Sequence, residues 1–211
     1  KTSVWTKRGI AFQAVKFGIS FTHSVLNQAG ALVILYADGS VQLNHGGTEM
    51  GQGLHSKMLA ICAHALGVKI ESITVMDTAT DKVPNTSATA ASSGSDLNGQ
   101  AVRAACDELK RRLHPIAVEK LGVEQDAAIV FSDGQISGPN GVTTPFSDVV
   151  LSAYEAQISL ASTGYYATPG IHYDRDAGRG KPFHYFAYGG AVLEIEISGL
   201  TGEHKLKRVD I

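Results

Sequence analysis

Apolar and polar residues alternate with several different rhythms along the chain, and each rhythm predicts an element. RGIAFQAVKFG (8–18) has the composition and alternation of a strand. ALVILYADGSVQLNH (31–45) predicts two strands joined at Asp38-Gly39, a hairpin-turn dipeptide. Leu54, Met58, Cys62 and Leu66 recur every fourth position, the stripe of a buried helix that Gly67 ends. ESITVMD (71–77) predicts a strand.

The rhythm then disappears. Residues 78–96 are small, hydroxyl-bearing and without period, a long loop. DLNGQAVRAACDELKRRL restores a helical period, with Ser95 or Asp96 as N-cap and Ala101, Ala105, Leu109 and Leu113 as the apolar stripe. Its Arg103, Asp107, Lys110 and Arg111 read as a solvated face without a functional role. AIVFSDGQIS (128–137) predicts a second hairpin, and PFSDVVLSAYEA a short helix with an acidic first turn. QISLASTGYY and HYFAYGGAVLEIEIS read as strands, and GLTGEH turns the chain into a last one. Neither an internal repeat nor a linker is visible. The fold class expected is α+β, a mixed β-sheet with helices packed on one face.

Composition narrows the function classes. A length of 211 residues, 44% hydrophobic and 18% charged, is that of an ordinary globular chain. The net charge of −2 carries no basic surplus for nucleic acid. No apolar run approaches the ~20 residues that cross a bilayer, so no membrane partner is expected. The N-terminal KTSVWTKRGIAF lacks the apolar core of a secretory leader. Cys62 and Cys106 both fall on helical stripes, which reads as two buried inert thiols and fits a reducing cytoplasm better than a disulfide framework. The chain starts without Met and ends in the strand-like HKLKRVDI, so residues 1–211 are expected to be a fragment of one domain truncated at both ends.

Two loops hold the candidate chemistry. HGGTEMGQG joins a strand to a helix N-terminus, where free N–H groups suit an anion and glycines admit a ligand against the backbone; a plain connection would look similar. It is neither a P-loop nor a dinucleotide fingerprint. VPNTSATAASSGSD places Thr86, Ser87, Thr89, Ser92, Ser93 and Ser95 just before a helix, which suits either a polar ligand or a solvated loop. His45, Glu49 and His55 flank the first loop without a zinc spacing, so no direct metal ligand is expected among them.

FGISFTHSVLNQAGAL, HGGTEMGQGLHSKM and VPNTSATAASSGSDLNGQA, followed in order by STGYYATP, KPFHYFAYG and EIEISGLTGEH, resemble the molybdenum hydroxylase family. Within it they are most similar to the xanthine dehydrogenases, in particular the molybdenum subunit of the bacterial type. The resemblance runs over nearly the whole chain and is least specific over 119–145. It implies a lobe of the molybdenum-cofactor-binding domain. The cofactor is a molybdenum-molybdopterin whose dithiolene holds the metal, which removes any need for a protein ligand.

Carried over by position, the resemblance implies cofactor contacts at Gly47, Met50, Gly51, Gln52 and Gly53 in the first loop, and at Thr89, Ala90, Ala91, Ser92 and Gly94 in the second. Gln52 would hydrogen-bond the pterin, Met50 would meet it through its backbone, and Ala91 would lie nearest the metal. Phe21 and Thr22 would form the purine pocket, and Leu26 its access channel. Aldehyde oxidases share GGxEMGQG but usually lack the Phe-Thr pair, which favours a purine such as hypoxanthine or xanthine. The family's general-base Glu, in a Gly-Glu-Pro segment, has no match here, and Glu49 does not fill its position. No catalytic residue is therefore assigned, and the chain alone is expected to be inactive. The 2Fe-2S clusters, FAD and NAD belong to other domains or subunits of a larger, oligomeric enzyme. An aldehyde or other N-heterocycle hydroxylase, and a noncatalytic cofactor-binding module, are the alternative readings.

Overall fold

The computed structural model describes residues 4–83 and 85–211 and divides into two compact units, one from residues up to 19 and 183–211, the other from 20–182. In the first unit β1 (Thr6–Ile19) pairs antiparallel with β11 (Tyr185–Ser198) in an unbroken register from Thr6↔Ser198 to Ile19↔Tyr185. β12 (His204–Asp210) adds to the other edge of β11 through a register shift at Glu194/Ile195. Arg8 lies over the ribbon between Glu194 and Glu196, at 3.5 and 3.1 Å. Ile10, Phe12, Val15 and Phe17 of β1 are exposed.

The second unit holds the core and contains the expected mixed sheet. Its strands are β2 (Gln28–Leu35), β3 (Val41–His45), β4 (Ile73–Val75) and β8 (Ala161–Ala167), in the order β4-β3-β2-β8. β3 and β4 run parallel and the other pairs antiparallel. Period-2 burial in β2 sends Ala29, Ala31, Val33 and Leu35 to one face, where α1 (Leu54–Leu66) and α2 (Gly94–Leu121) pack. The expected stripe Leu54, Met58, Cys62 and Leu66 is buried, and Gly67 closes α1 in a left-handed conformation, φ 71°. The Asp38-Gly39 turn forms as expected: Asp38 Oδ1 accepts from both the Ser40 amide and its hydroxyl.

α2 approaches the sheet more closely than its sequence suggests. Gly164 of β8 lies opposite Ala31, and a Cβ there would strike the Ala101 carbonyl oxygen and stand 2.6 Å from Ala105 N. The helix axis is thus set by small residues on both partners, which permit near backbone contact.

Several expected boundaries shift. The strand expected over 71–77 is shorter, because residues 70–72 form a 3-10 turn. The N-cap position of α2 is Ser93 rather than Ser95 or Asp96, its hydroxyl donating back to the Ala90 carbonyl, and the helix runs through Pro115 to Leu121. Its stripe continues every fourth residue through Ala117 and Leu121, and that burial outweighs the lost hydrogen bond at the proline. The 128–137 hairpin forms as β5 (Val130–Ser132) and β6 (Gln135–Ser137), turning at Asp133-Gly134 with φ 52° and 75°. β7 (Thr143–Pro145) extends it to three strands ahead of α3 (Phe146–Glu155). A small hairpin of β9 (His172–Asp174) and β10 (Arg179–Lys181) also has no counterpart in the expected pattern.

Candidate functional site

The two loops singled out by composition meet. The first leaves β3 and enters α1, the second enters α2, and Gly94 at the start of α2 lies against the Leu54 side chain at the start of α1. The Thr48 amide donates to Thr89 Oγ1 at 2.9 Å, and Gly46 packs against the Thr86 side chain, which leaves no room for a Cβ. Between the loops lies a cavity of ≈ 440 Å³ lined by Met50, Gln52, Leu54, Lys57, Thr89, Ala90, Ala91, Ser92, Gly94 and Ser95. Its size is that of a cofactor or small-molecule pocket.

The first loop is built around Glu49. One carboxylate oxygen accepts the Gly51 and Gly53 amides at 2.9 and 3.0 Å, and the other accepts the His55 amide at 2.9 Å. Gly51 and Gly53 adopt φ of 96° and 74°, which turns successive N–H groups onto one acceptor. The His55, Gly53 and Gly51 amides hold the Glu49 carboxyl at about 2, well below the ordinary carboxylate range. The free N–H groups expected at the start of α1 are therefore partly claimed by the loop's own carboxylate. Gln52 is also engaged: its Oε1 accepts the Met50 amide at 2.6 Å and its Nε2 donates to the Thr48 carbonyl at 2.9 Å.

Beneath the loop, the Gly47 amide donates to His45 Nδ1 at 3.2 Å, and His45 Nε2 lies 2.9 Å from His55 Nδ1. An acceptor Nδ1 places the neutral proton of His45 on Nε2, which then donates to His55. Burial and the neighbouring His55 ring push His45 down to about 4, against the opposing pull of Glu49. Its folded value lies below its unfolded value of ~6.5, so the unfolded chain takes up the proton first. The contribution of His45 to stability is complete above pH ~6.5 and falls as pH drops toward 4. Urea titrations between pH 4 and 7 should show a shallower pH dependence for His45→Gln than for wild type; equal slopes would show that His45 does not carry the effect.

The second loop holds an unusual turn. The Ser93 amide donates to the Ala90 carbonyl at 3.3 Å across Ala91 and Ser92, whose φ values are 53° and 54°. Two consecutive left-handed residues ordinarily call for Asn-Gly or Asp-Gly, as the chain supplies at Asp133-Gly134. At the cavity it uses Ala-Ser instead, at a cost of about 1–2 kcal/mol per residue. Strain of this kind concentrates at functional sites.

Phe21, Thr22 and Leu26 lie in the connection between β1 and β2. Asn27 shapes that connection, taking the Phe21 amide on Oδ1 at 2.8 Å and donating from Nδ2 to the Phe21 carbonyl at 2.9 Å. Phe21 and Leu26 are half-buried and Thr22 is exposed, and none of the three lines the cavity between the loops. Ser95, one of the hydroxyls marked in the second loop, does line it, as do Leu54 and Lys57, which the sequence does not mark as site residues. The signal for Lys57 was its place in the first turn of α1, beside the opening of the loop. Cys62 and Cys106 are buried free thiols with sulfurs 3.8 Å apart between α1 and α2. Their mutual hydrogen bond and burial push the Cys106 thiol upward, as expected of inert cysteines.

The lining fits a polar, anionic organic group. It offers Gln52, three hydroxyls from Thr89, Ser92 and Ser95, and the Lys57 ammonium. Among the described residues, no group of three His, Cys, Asp or Glu side chains converges as a metal cage would.

Residues 1–211 match the family described as molybdopterin cofactor-binding domain. The chain is 46% identical over 211 residues to the xanthine dehydrogenase/oxidase of Gallus gallus, covering 100% of the chain and 14% of that protein. It is 44% identical over 207 residues to the xanthine dehydrogenase of Oryza sativa subsp. japonica, covering 98% and 14%. The chain thus spans about 14% of the length of these curated relatives. In fold it is similar to quinoline 2-oxidoreductase from Pseudomonas putida 86, with a TM-score of 0.80 at 19% identity over 97% of this chain and 26% of that one. The aldehyde oxidoreductase from Desulfovibrio desulfuricans gives a TM-score of 0.73 at 21% identity over 98% and 20%.

Proposed function

The chain belongs to the molybdopterin cofactor-binding domain family, and from that premise we propose that it is part of a xanthine dehydrogenase, gripping the molybdenum-molybdopterin cofactor and forming half of a purine pocket. What supports the reading is the shared cavity, where two loops distant in sequence close on each other through Thr48 and Thr89. The resemblance of Phe21-Thr22 to the purine-binding pair adds the substrate class.

In this reading Gln52 and Met50 hold the first edge of the cofactor, while Gly47, Gly51 and Gly53, whose amides go to His45 and Glu49 and which lie outside the cavity lining, shape the loop that presents them. Thr89, Ala90, Ala91, Ser92 and Gly94 hold the second edge, and Lys57 balances the cofactor's negative charge. When bound, the cofactor supplies the oxidative hydroxylation of the purine, and the protein supplies binding and orientation. Phe21 packs on the flat ring, Thr22 hydrogen-bonds a ring substituent, and Leu26 borders the approach. The general-base Glu, the remaining molybdenum-domain segments, and the 2Fe-2S and FAD domains that pass electrons to NAD belong to the rest of an oligomeric enzyme of purine catabolism. A reducing cytoplasm would keep Cys62 and Cys106 as thiols. No helix among the described residues is long and apolar enough to cross a membrane.

The test is metal and pterin content of the intact protein, with NAD-linked turnover of xanthine compared with that of an aldehyde. Molybdenum together with preferred purine turnover is expected; a molybdenum-free protein, or preferred aldehyde turnover, would refute the reading. Phe21→Ala should lower kcat/KM for xanthine roughly tenfold with molybdenum retained. Wild-type kinetics in that variant would reject the pocket assignment.

A further inference from the structure

We propose that Glu49 is the positioning residue of the cofactor loop: by collecting three backbone N–H groups it fixes the loop in the shape that carries Met50 and Gln52 to the cavity. The inference rests on the proposed cofactor reading, and it assigns a task to a residue for which the resemblance implies none. Thr89 and Thr78 anchor the start of the loop at Thr48 and Gly47, but its two glycine turns lie beyond those contacts. Gly51 and Gly53 are both left-handed, and a Cβ on either would meet nothing within 4 Å, so packing does not set their conformation. What does set it is electrostatic, since a single carboxylate reaches forward two, four and six residues to Gly51, Gly53 and His55.

Two consequences follow from this geometry. The peptide planes at 51 and 53 bracket Gln52, so Glu49 determines where the Gln52 side chain leaves the backbone. The Gln52 amide then stitches the outer part of the loop, between Met50 and Thr48. The same carboxylate also occupies the positive end of α1, where an external anion would otherwise bind. The first loop accordingly offers side-chain amide and lining surface, and its helix end is already satisfied from within. Glu49 touches no reacting group; it acts through Gln52 and Met50.

The two carboxylate oxygens have separable duties, which makes the proposal testable. Glu49→Gln can retain an oxygen facing Gly51 and Gly53, but its amide nitrogen then faces the His55 N–H, donor against donor. Glu49→Ala removes both acceptors. Each variant is made in the intact protein beside Val149→Ala, a buried α3 substitution that serves as the control for general destabilisation. Amide hydrogen exchange at Gly51, Gly53 and His55 reads the loop, and bound molybdenum and released pterin read the cofactor.

The expected order of cofactor content is wild type, then Glu49→Gln, then Glu49→Ala. Glu49→Ala should lose at least fivefold while Val149→Ala keeps its complement, and exchange should quicken at all three amides in Glu49→Ala and chiefly at His55 in Glu49→Gln. Unchanged exchange in Glu49→Ala would overturn the proposal, as would full cofactor content despite fast exchange, or a loss no larger than in Val149→Ala. If wild type itself holds neither molybdenum nor pterin, the cofactor reading falls, and the exchange data alone decide whether Glu49 shapes the loop.

Discussion

Replacing Gly164 by alanine should cost the intact protein its stable fold around α2. The added methyl would strike the Ala101 carbonyl oxygen and lie 2.6 Å from Ala105 N, and both are backbone atoms of a helix that cannot turn aside as a side chain can. Overpacking typically costs ~1–3 kcal/mol where side chains can adjust, so here the penalty should be ~3 kcal/mol or more. The helix would have to lift from the sheet over β2 and β8, and its first turn, with the second loop ahead of it, would move as well. Soluble yield should fall several-fold, the first thermal transition should drop, and any protein recovered should lack molybdenum. Gly189→Ala is the matched control, because a Cβ there meets only Val15 at 4.0 Å and the backbone is not left-handed. Equal behaviour of the two variants would refute the claim that Gly164 sets the helix–sheet distance.

The second large effect is expected at Ala91, where two substitutions should act in opposite directions. Ala91→Gly removes the left-handed penalty at φ 53° and should stabilise the cofactor-free protein by about 1 kcal/mol, less the greater freedom of glycine in the unfolded chain. It leaves the cavity open, so molybdenum content should hold. Ala91→Val adds β-branched bulk to a left-handed residue on the cavity wall. Molybdenum and pterin should drop at least tenfold in that variant, and the loop should be destabilised. Thermal denaturation of cofactor-free protein and metal analysis of the purified enzyme separate the two effects. Full molybdenum occupancy in Ala91→Val would show that residue 91 does not border the cofactor.

Much of this was readable from residue patterns, and the parts that were not share a cause. The α1 stripe, the Asp38-Gly39 turn and the 128–137 hairpin are local, each written within a short stretch of chain, and each forms as expected. The two loops could be marked by composition, and the resemblance could assign them one ligand. That they share a cavity depends on Thr48 meeting Thr89, a contact 41 positions apart that no window along the chain displays. Gly164 looked like an ordinary strand residue because the neighbour that forbids a side chain there belongs to a different element. The helical period expected to Leu113 continues through Pro115, because Ala117 and Leu121 are buried against the core. Glu49 is of a residue type that suggests a metal ligand or a base. Its actual partners are backbone amides, which carry no side-chain signature.

The long ribbon of β1 and β11 also has a consequence for biosynthesis. Thr6 finds its partner at Ser198 and Ile19 at Tyr185, so the first strand leaves the ribosome well ahead of the residues that will hydrogen-bond to it. At ~5–20 residues per second that wait is roughly 10–40 s. Throughout it, Ile10, Phe12, Val15 and Phe17 sit on an unpaired β-prone segment, the kind of stretch that holdase chaperones cover and that otherwise recruits a like segment from a neighbouring nascent polypeptide. Translation speed and chaperone supply should therefore govern recovery of this unit during expression more strongly than its final stability does.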